Sequence, residues 1–198
     1  MAKRALDILA ATVGLVLLSP LMLAIAVVVR CNSPGPALFR QVRVTRGGRH
    51  FEMYKFRSMR HLPAGDGAQI TAAGDKRITS AGRFLRRTKL DELPQLFNVL
   101  KGDMSLVGPR PEVPRYVAMY PERLRAVILS VRPGITDEAS IAFRDESALL
   151  ADAPDPERKY VDEILPAKLE LYARYVHERS FFGDLRIIGR TLLRLVRG

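Results

Sequence analysis

Residues 8–29 carry no charged side chain over 22 consecutive positions, and no other feature limits the fold of this chain so strongly. A stretch this long and apolar has the length of a membrane helix. The core helix of a soluble domain fits poorly, because the segment is apolar all round. A cleaved signal peptide fits poorly too, since no small-x-small cleavage site precedes the charged stretch. Ser19-Pro20 sits at the middle. Proline removes one helical hydrogen bond and crowds the preceding turn, so a kink is expected there. Each half is then about eleven residues, roughly 16 Å at 1.5 Å per residue, which reaches about one leaflet.

The flanks separate two topologies. Lys3 and Arg4 precede the segment; Arg30, Arg40 and Arg43 follow it. Positive residues favour the cytoplasmic side. A bent helix that enters and leaves on one side satisfies both flanks, whereas a straight span satisfies one. Residues 1–30 are therefore expected to form a re-entrant membrane helix bent at Ser19-Pro20. Residues 31–198 are expected to form a compact cytoplasmic domain of mainly helical α+β class, ringed by amphipathic interfacial helices.

Ser33-Pro34-Gly35-Pro36 is a turn cluster. Leu38–Val44 and His50–Arg57 alternate apolar with polar around Gly47-Gly48, which predicts a small β-hairpin with a basic face of Arg40, Arg43, Arg49, Lys55 and Arg57. Residues 62–75 hold three glycines and read as a mobile loop. A helix from about Ser80 would present Arg83, Arg86 and Arg87. Residues 114–130 and 159–178 read as helices, the second with Tyr160, Ile164, Leu165, Leu169, Tyr172 and Val176 on one side. Residues 137–158 between them are acidic and loop-rich. The C-terminal helix, about 180–197, carries Arg186, Arg190, Arg194 and Arg197 at spacings of four, four and three, with Leu185, Ile188, Leu192, Leu195 and Val196 elsewhere. Such a helix suits a membrane interface, and equally a place on the protein core.

The net charge of +11 points to a polyanionic partner. One cysteine, Cys31, excludes an internal disulfide framework, and three scattered histidines with it make a Cys/His zinc site untenable. A hard cation held by carboxylates and phosphate oxygens stays open.

The chemistry concentrates in residues 89–112. Pro94 suits the first turn of a short helix, which puts Asp91 and Glu92 at its mouth, and Gly102 suits the position just past its end. Leu93, Leu96, Phe97 and Leu100 recur at helical spacing and predict one apolar face. Arg83, Arg86, Arg87 and Lys89 lie just upstream. Pro109 and Pro111 bracket Arg110, and Arg132 sits in a Pro-Gly turn. Arginines on stiff backbone suit bidentate contact with phosphate, and phosphoryl transfer needs alignment and charge neutralisation above all. Asp91 and Glu92 could serve as a nucleophile, as Mg²⁺ ligands, or only as helix caps.

The run from Lys89 to Glu112 closely resembles the bacterial sugar transferase family, the monotopic phosphoglycosyl transferases. Lys3-Arg4, Asp7, Ser19-Pro20, Ser33-Pro34-Gly35-Pro36, Phe39-Arg-Gln41, Tyr54–Met59, Gly82–Arg86 and Arg132–Thr136 match in order, so the resemblance covers most of the chain, in a form like the small members. It implies transfer of a sugar 1-phosphate from a UDP-sugar to polyprenyl (undecaprenyl) phosphate, releasing UMP, as the first membrane step of glycoconjugate assembly. It implies Asp91 as nucleophile through a covalent phosphosugar intermediate, with Mg²⁺ at Asp91 and Glu92. Arg86, Arg110, Lys55 and Arg57 would bind phosphate, and Arg132, Pro133, Gly134 and Thr136 would border the nucleotide or sugar. It also implies a monotopic protein of the bacterial inner membrane with its site facing the cytoplasm. Its partners would be lipid and the two substrates but no nucleic acid, with a homodimer left open. After Thr136 many members continue Gly-Trp-Ala-Gln; here Asp137-Glu-Ala-Ser follows, which leaves the sugar open and marks 137–158 as a specificity segment. A non-catalytic anion-binding membrane module is the competing reading. The acids among the arginines weigh against it, since they would weaken polyanion binding.

Overall fold

The computed structural model describes residues 2–60 and 74–197. The expected loop at 62–75 lies outside the described residues apart from Gly74 and Asp75. The architecture is mainly helical, as expected. It opens with α1 (Ala2–Asn32), a helix of 31 residues or about 46 Å. α1 runs through Pro20, and the carbonyl of Val16 that proline leaves without a backbone donor accepts from Ser19 Oγ at 2.8 Å.

One narrow stripe of α1 faces the protein. Asp7, Ala11, Ile25 and Val29 are buried, while Val16, Leu17 and Leu23 are 67–71% exposed. Both ends of the helix are tied to the same body. Near the start, Asp7 Oδ1 accepts from Ser105 Oγ and Leu106 N, and Lys3 donates to the Val107 carbonyl and to Asp184. At the far end, Arg57 donates to the carbonyls of Val29, Ser33 and Pro34, and Asn32 donates to Ser80. Arginine closing the open carbonyls of a helix C-terminus satisfies groups that have no partner within the helix. Arg4 does the same for α3 (Gln95–Lys101), through the carbonyls of Val99 and Leu100.

The hairpin is present: β1 (Leu38–Val44) pairs antiparallel with β2 (His50–Phe56), Phe39 opposite Lys55 and Arg43 opposite Phe51. Its register divides the expected basic face. Arg43 and Lys55 lie on one side; Arg40 lies on the other, against Glu52 and over the ring of Tyr54. α2 (Ser80–Thr88) is capped by Thr79 and precedes α3.

α3 departs from the expected apolar face. Gln95, Asn98 and Val99 are its buried residues and Phe97 is exposed, because the helix is wedged between α1 and β2 rather than laid on one surface. Leu96 packs toward Gly14 of α1, while the Asn98 amide donates to Glu52 O and accepts from Tyr54 N. Pro94 stands at the cap itself rather than in the first turn.

β3 (Ser105–Val107) and β4 (Gly134–Thr136) form a short parallel pair where a turn presenting Arg132 was expected. Residues 114–130 divide at Pro121 into α4 (Pro114–Ala118) and α5 (Glu122–Ile128). The acidic segment is not loop-rich: it forms α6 (Glu138–Ala142), α7 (Glu146–Ala151) and α8 (Pro156–Lys159), with Asp137 and Asp155 as side-chain caps of the first and last. A π-helical turn, Tyr160–Ile164, leads into α9 (Leu165–Glu178), whose Leu165, Leu169 and Tyr172 join α4 and α5 in the largest core cluster.

α10 (Phe181–Arg197) uses its faces differently from the expected stripe. Ile187 and Asp184 are buried, Arg190 pairs with Glu138, and Phe182, Leu192 and Leu193 are exposed. The side chains of Leu195, Val196 and Arg197 lie outside the described residues.

A Cβ on Gly134 would meet Gly108 N at 2.1 Å and Gly108 O at 2.5 Å, both backbone. A Cβ on Gly189 of α10 meets nothing within 4 Å. Gly134→Ala is expected to lower stability by about 2 kcal/mol or more, whereas Gly189→Ala is neutral or stabilising by up to about 1 kcal/mol. Thermal melting of the two variants in the same detergent checks this.

Candidate active site

Between α2 and α3 the chain turns sharply. Lys89 has φ +57°, the only positive φ outside glycine among the described residues. A left-handed conformation costs a non-glycine residue about 1 kcal/mol or more and is kept where surrounding structure demands it. Here it swings the chain from α2 into a single 3₁₀ turn, Leu90–Glu92, which holds Asp91 and Glu92.

The two carboxylates have opposite surroundings. Glu92 Oε1 accepts from Lys55 Nζ at 3.0 Å and from Arg110 Nη2 at 2.5 Å. Burial alone would raise the Glu92 carboxyl; Arg110 and Lys55 more than reverse this and hold it well below the usual carboxylate range. Asp91 is 5% exposed and its Oδ1 is buried without a hydrogen-bond partner. Burial raises its carboxyl; Lys55, Arg86 and Lys89 pull the other way, and the neighbouring Glu92 charge adds to the rise. One acid is thus a fixed anion between two cations. The other has a buried oxygen to which no group of the protein donates.

Both line a cavity of about 1560 Å³. Lys55, Arg86, Arg87, Lys89 and Arg110 surround the carboxylates there. The same cavity reaches Ala10, Val13, Gly14, Leu17 and Leu18 of α1, so an apolar helix wall and a charged site share one space. Its far wall comes from α6, α7 and the start of α9.

Of the residues singled out by sequence, Asp91, Glu92, Lys55, Arg86, Arg110 and Thr136 are brought together at the cavity. Arg57 also borders it, with its Nη1 and Nη2 donating to the three carbonyls at the end of α1 and its Nε buried without a partner. Arg132 points elsewhere: its Nε donates to Gly102 O at 2.7 Å, and Arg46 and Arg4 are its charged neighbours. Pro133 O accepts from Ser105 N, and Gly134 makes the close approach to Gly108. Pro133 and Gly134 serve the β3–β4 pair, Arg132 serves the end of α3, and none of the three lines the cavity. Among the described residues no group of three or more His, Cys, Asp or Glu side chains could hold a metal by itself.

Sequence reasoning puts Arg43 on the hairpin's basic face and Tyr160 on a helix face, and singles out neither them nor Glu112 and Lys168 for the site. Glu112 accepts from Arg43 at 3.2 Å and from the Tyr160 hydroxyl at 2.6 Å, and Lys168 bonds Glu146 at 2.8 Å. Lys168 interrupts the buried face of α9 between Leu165 and Leu169. A lysine at that spacing was the available signal, since lysine is almost never fully buried unless paired.

The sequence model of the bacterial sugar transferase family matches residues 1–198, and the chain belongs to that family. Among curated relatives it is 41% identical over 198 residues to the UDP-N-acetylgalactosamine-undecaprenyl-phosphate N-acetylgalactosaminephosphotransferase of Aeromonas hydrophila, covering 99% of this chain and 44% of that protein. It is 43% identical over 199 residues to the UDP-glucose:undecaprenyl-phosphate glucose-1-phosphate transferase of Xanthomonas campestris pv. campestris, covering 98% and 39%. The Caulobacter vibrioides protein of the same name matches at 37% over 193 residues, covering 96% and 68%. The chain thus spans about two fifths of the length of the first two relatives.

The neighbouring acids make opposite contributions to stability. A depressed carboxylate stabilises the fold above its unfolded value, about 4.3 for Glu, and that stability is lost as pH falls through the folded value. A raised one costs stability, from about pH 4 upward to its folded value and beyond. At pH 7, Glu92→Gln should lose about 3 kcal/mol, because Lys55 and Arg110 stay buried without their anion. Asp91→Asn should melt above the parent protein by about 1 kcal/mol, the scale of one unpartnered buried group, with the gap closing toward pH 4. Melting curves at pH 4 to 8 read both signs.

Proposed function

We propose that this protein transfers a sugar 1-phosphate from a UDP-sugar to undecaprenyl phosphate, giving a lipid diphosphate sugar and UMP, as the first membrane step of glycoconjugate assembly. One observation carries the reading. A single cavity joins Asp91, with its unpartnered oxygen, to the apolar wall of α1. A water-soluble nucleotide sugar and a lipid phosphate can meet only where a polar site opens onto an apolar surface. The names of the relatives agree with it.

In the proposed sequence an Asp91 carboxylate oxygen attacks the phosphorus that carries the sugar. The bond from that phosphorus to the bridging oxygen breaks, and UMP leaves with the electron pair. A phosphate oxygen of the lipid then attacks the same phosphorus, and the aspartyl–phosphorus bond breaks to restore the carboxylate. Glu92 is a positioning residue: it holds Lys55 and Arg110 so that their remaining N–H groups are already aimed when the phosphates arrive, and Arg86 adds charge at the Asp91 side. Asp91 Oδ1 together with substrate phosphate oxygens suits Mg²⁺, which is usually held by one or two carboxylates plus phosphates, whereas Glu92 is already committed to its cations. Bound there, the ion would neutralise phosphate charge.

The protein is proposed to sit in the bacterial inner membrane as a monotopic enzyme, with α1 entering and leaving from the cytoplasmic face. Both ends of α1 are held by one body, and its exposed residues from Ile8 to Val28 carry no charge and are apolar apart from Thr12 and Ser19. A body that grips both ends lies on one side of the bilayer.

Asp91→Asn is expected to abolish UMP release from a UDP-sugar and undecaprenyl phosphate; turnover at the parent rate would sink the nucleophile assignment. Incubation with UDP-sugar alone should leave a phosphosugar mass on the peptide containing Asp91, and its absence would favour direct transfer. For topology, the native exposed Cys31 marks one end of α1 and Ala2→Cys in a Cys31→Ser background marks the other. Labelling of the two ends from opposite faces of a vesicle would contradict the re-entrant arrangement.

A further inference from the structure

The cavity has two chemically different halves. Toward Asp91 lie Arg86, Arg87 and Lys89, a surplus of cations. Beyond Glu92 and Arg110 cations and anions alternate in pairs: Arg43 is paired with Glu112 and Lys168 with Glu146, and Arg144, Asp145 and Arg194 lie further along the wall. Aromatic rings stand among these pairs. Tyr116 and Tyr160 pack at 5.1 Å between centroids with a tilt of 53°, and Phe143 lines the same wall. Two buried polar atoms in this half have no partner, the Tyr116 hydroxyl and Arg43 Nε, on a tyrosine only 3% exposed.

We infer that this aromatic half with its paired charges, centred on Tyr116, Glu146 and Lys168, holds the sugar ring of the nucleotide sugar. The inference rests on the transfer reading above and goes beyond it by naming where the sugar is told apart. At the reacting phosphorus the sugar lies on one side and UMP on the other. The UMP side carries a second phosphate and takes the surplus cations. The sugar is neutral, and its hydroxyls both donate and accept. Glu146 can accept from them, Lys168 can donate, and the Tyr116 hydroxyl, buried without a partner, can do either for a hydroxyl group that reaches it. Apolar C–H faces of a pyranose rest on the tyrosine and Phe143 rings. The wall also contains Ser140 and Ser147 from the segment that follows Asp137. An unmatched hydrogen-bonding group in a closed site discriminates strongly, since the wrong epimer leaves it unpaired.

The test uses the full chain in detergent with undecaprenyl phosphate and four donors: UDP-glucose, UDP-galactose and their 2-acetamido counterparts. UMP release gives kcat/KM for each, and UMP inhibition reports the cationic half. Tyr116→Phe removes one oxygen and should change the ratio between the preferred donor and its nearest epimer by about tenfold, with the UMP inhibition constant unchanged. Glu146→Gln should change the same ratio. Should Glu146→Gln fail to fold, judged by its melting curve, Tyr116→Phe decides alone. Unchanged ratios in a folded Tyr116→Phe protein would overturn the sugar assignment. So would a shift in UMP inhibition at constant ratio, which would place uridine in this half. A parent protein that releases UMP from none of the donors would instead remove the transfer reading, and this inference with it.

Discussion

Glu92 between Lys55 and Arg110 is the interaction on which the site depends. Its three members come from the 3₁₀ turn, from β2, and from the proline-bracketed stretch after β3. Placing three charges out of water is costly, and their mutual attraction only roughly offsets the cost. What such a cluster contributes is position. With Glu92 absent the two cations would repel each other and turn to solvent. With it present they stay beside Asp91 at the cavity, and an incoming anion would require no reorganisation of them. The strained φ of Lys89 follows from the same demand, because the chain must bend there to bring two adjacent carboxylates into one buried corner.

The depth of α1 sets the other constraint. Its buried stripe is narrow, and that stripe is where the Asp91-Glu92 turn is registered. Gly14 lies against Leu96, where a Cβ would approach Cδ1 at 3.2 Å, and Arg4 closes the carbonyls at the end of α3. The helix that carries the apolar surface and the helix that follows Asp91 therefore move as one piece. Buried side-chain bonds on Asp7, Ser105 and Leu106 extend that piece to β3.

Much of this was legible in the sequence, and the part that was not has a common physical reason. The apolar run, the hairpin and the Asp91-Glu92 turn are written in local periodicity and in proline and glycine placement. Long side chains are different, because where a guanidinium ends up is decided by tertiary neighbours. Arg57 and Arg132 sit in motifs that resemble phosphate sites, yet each is drawn to backbone carbonyls that would otherwise be buried unpaired. Gly134 is glycine because of Gly108, twenty-six positions away, and no local pattern encodes that approach. The acidic segment reads as loop-rich, but its acids fix helix ends and pairs that only tertiary structure supplies: Asp137 and Asp155 are caps, and Glu138 and Glu146 are in ion pairs. Lys168 on a buried helix face was the one local anomaly that pointed to a second polar centre.

The two polar centres differ in what they can exchange. At Asp91 the charges are unequal and an oxygen is unpartnered, so an incoming phosphate gains cations and offers a phosphorus. At Glu112 and Lys168 the charges are already matched, so an anion gains little and a neutral polyhydroxyl ligand loses little on entering. Arg43 links them: it is paired with Glu112, and it lies close enough to Arg110 and Glu92 for their charges to bear on its own. A ligand with an anionic part and a neutral part would therefore be oriented by charge alone before any specific contact formed. That orientation puts the bond between the two parts beside Asp91.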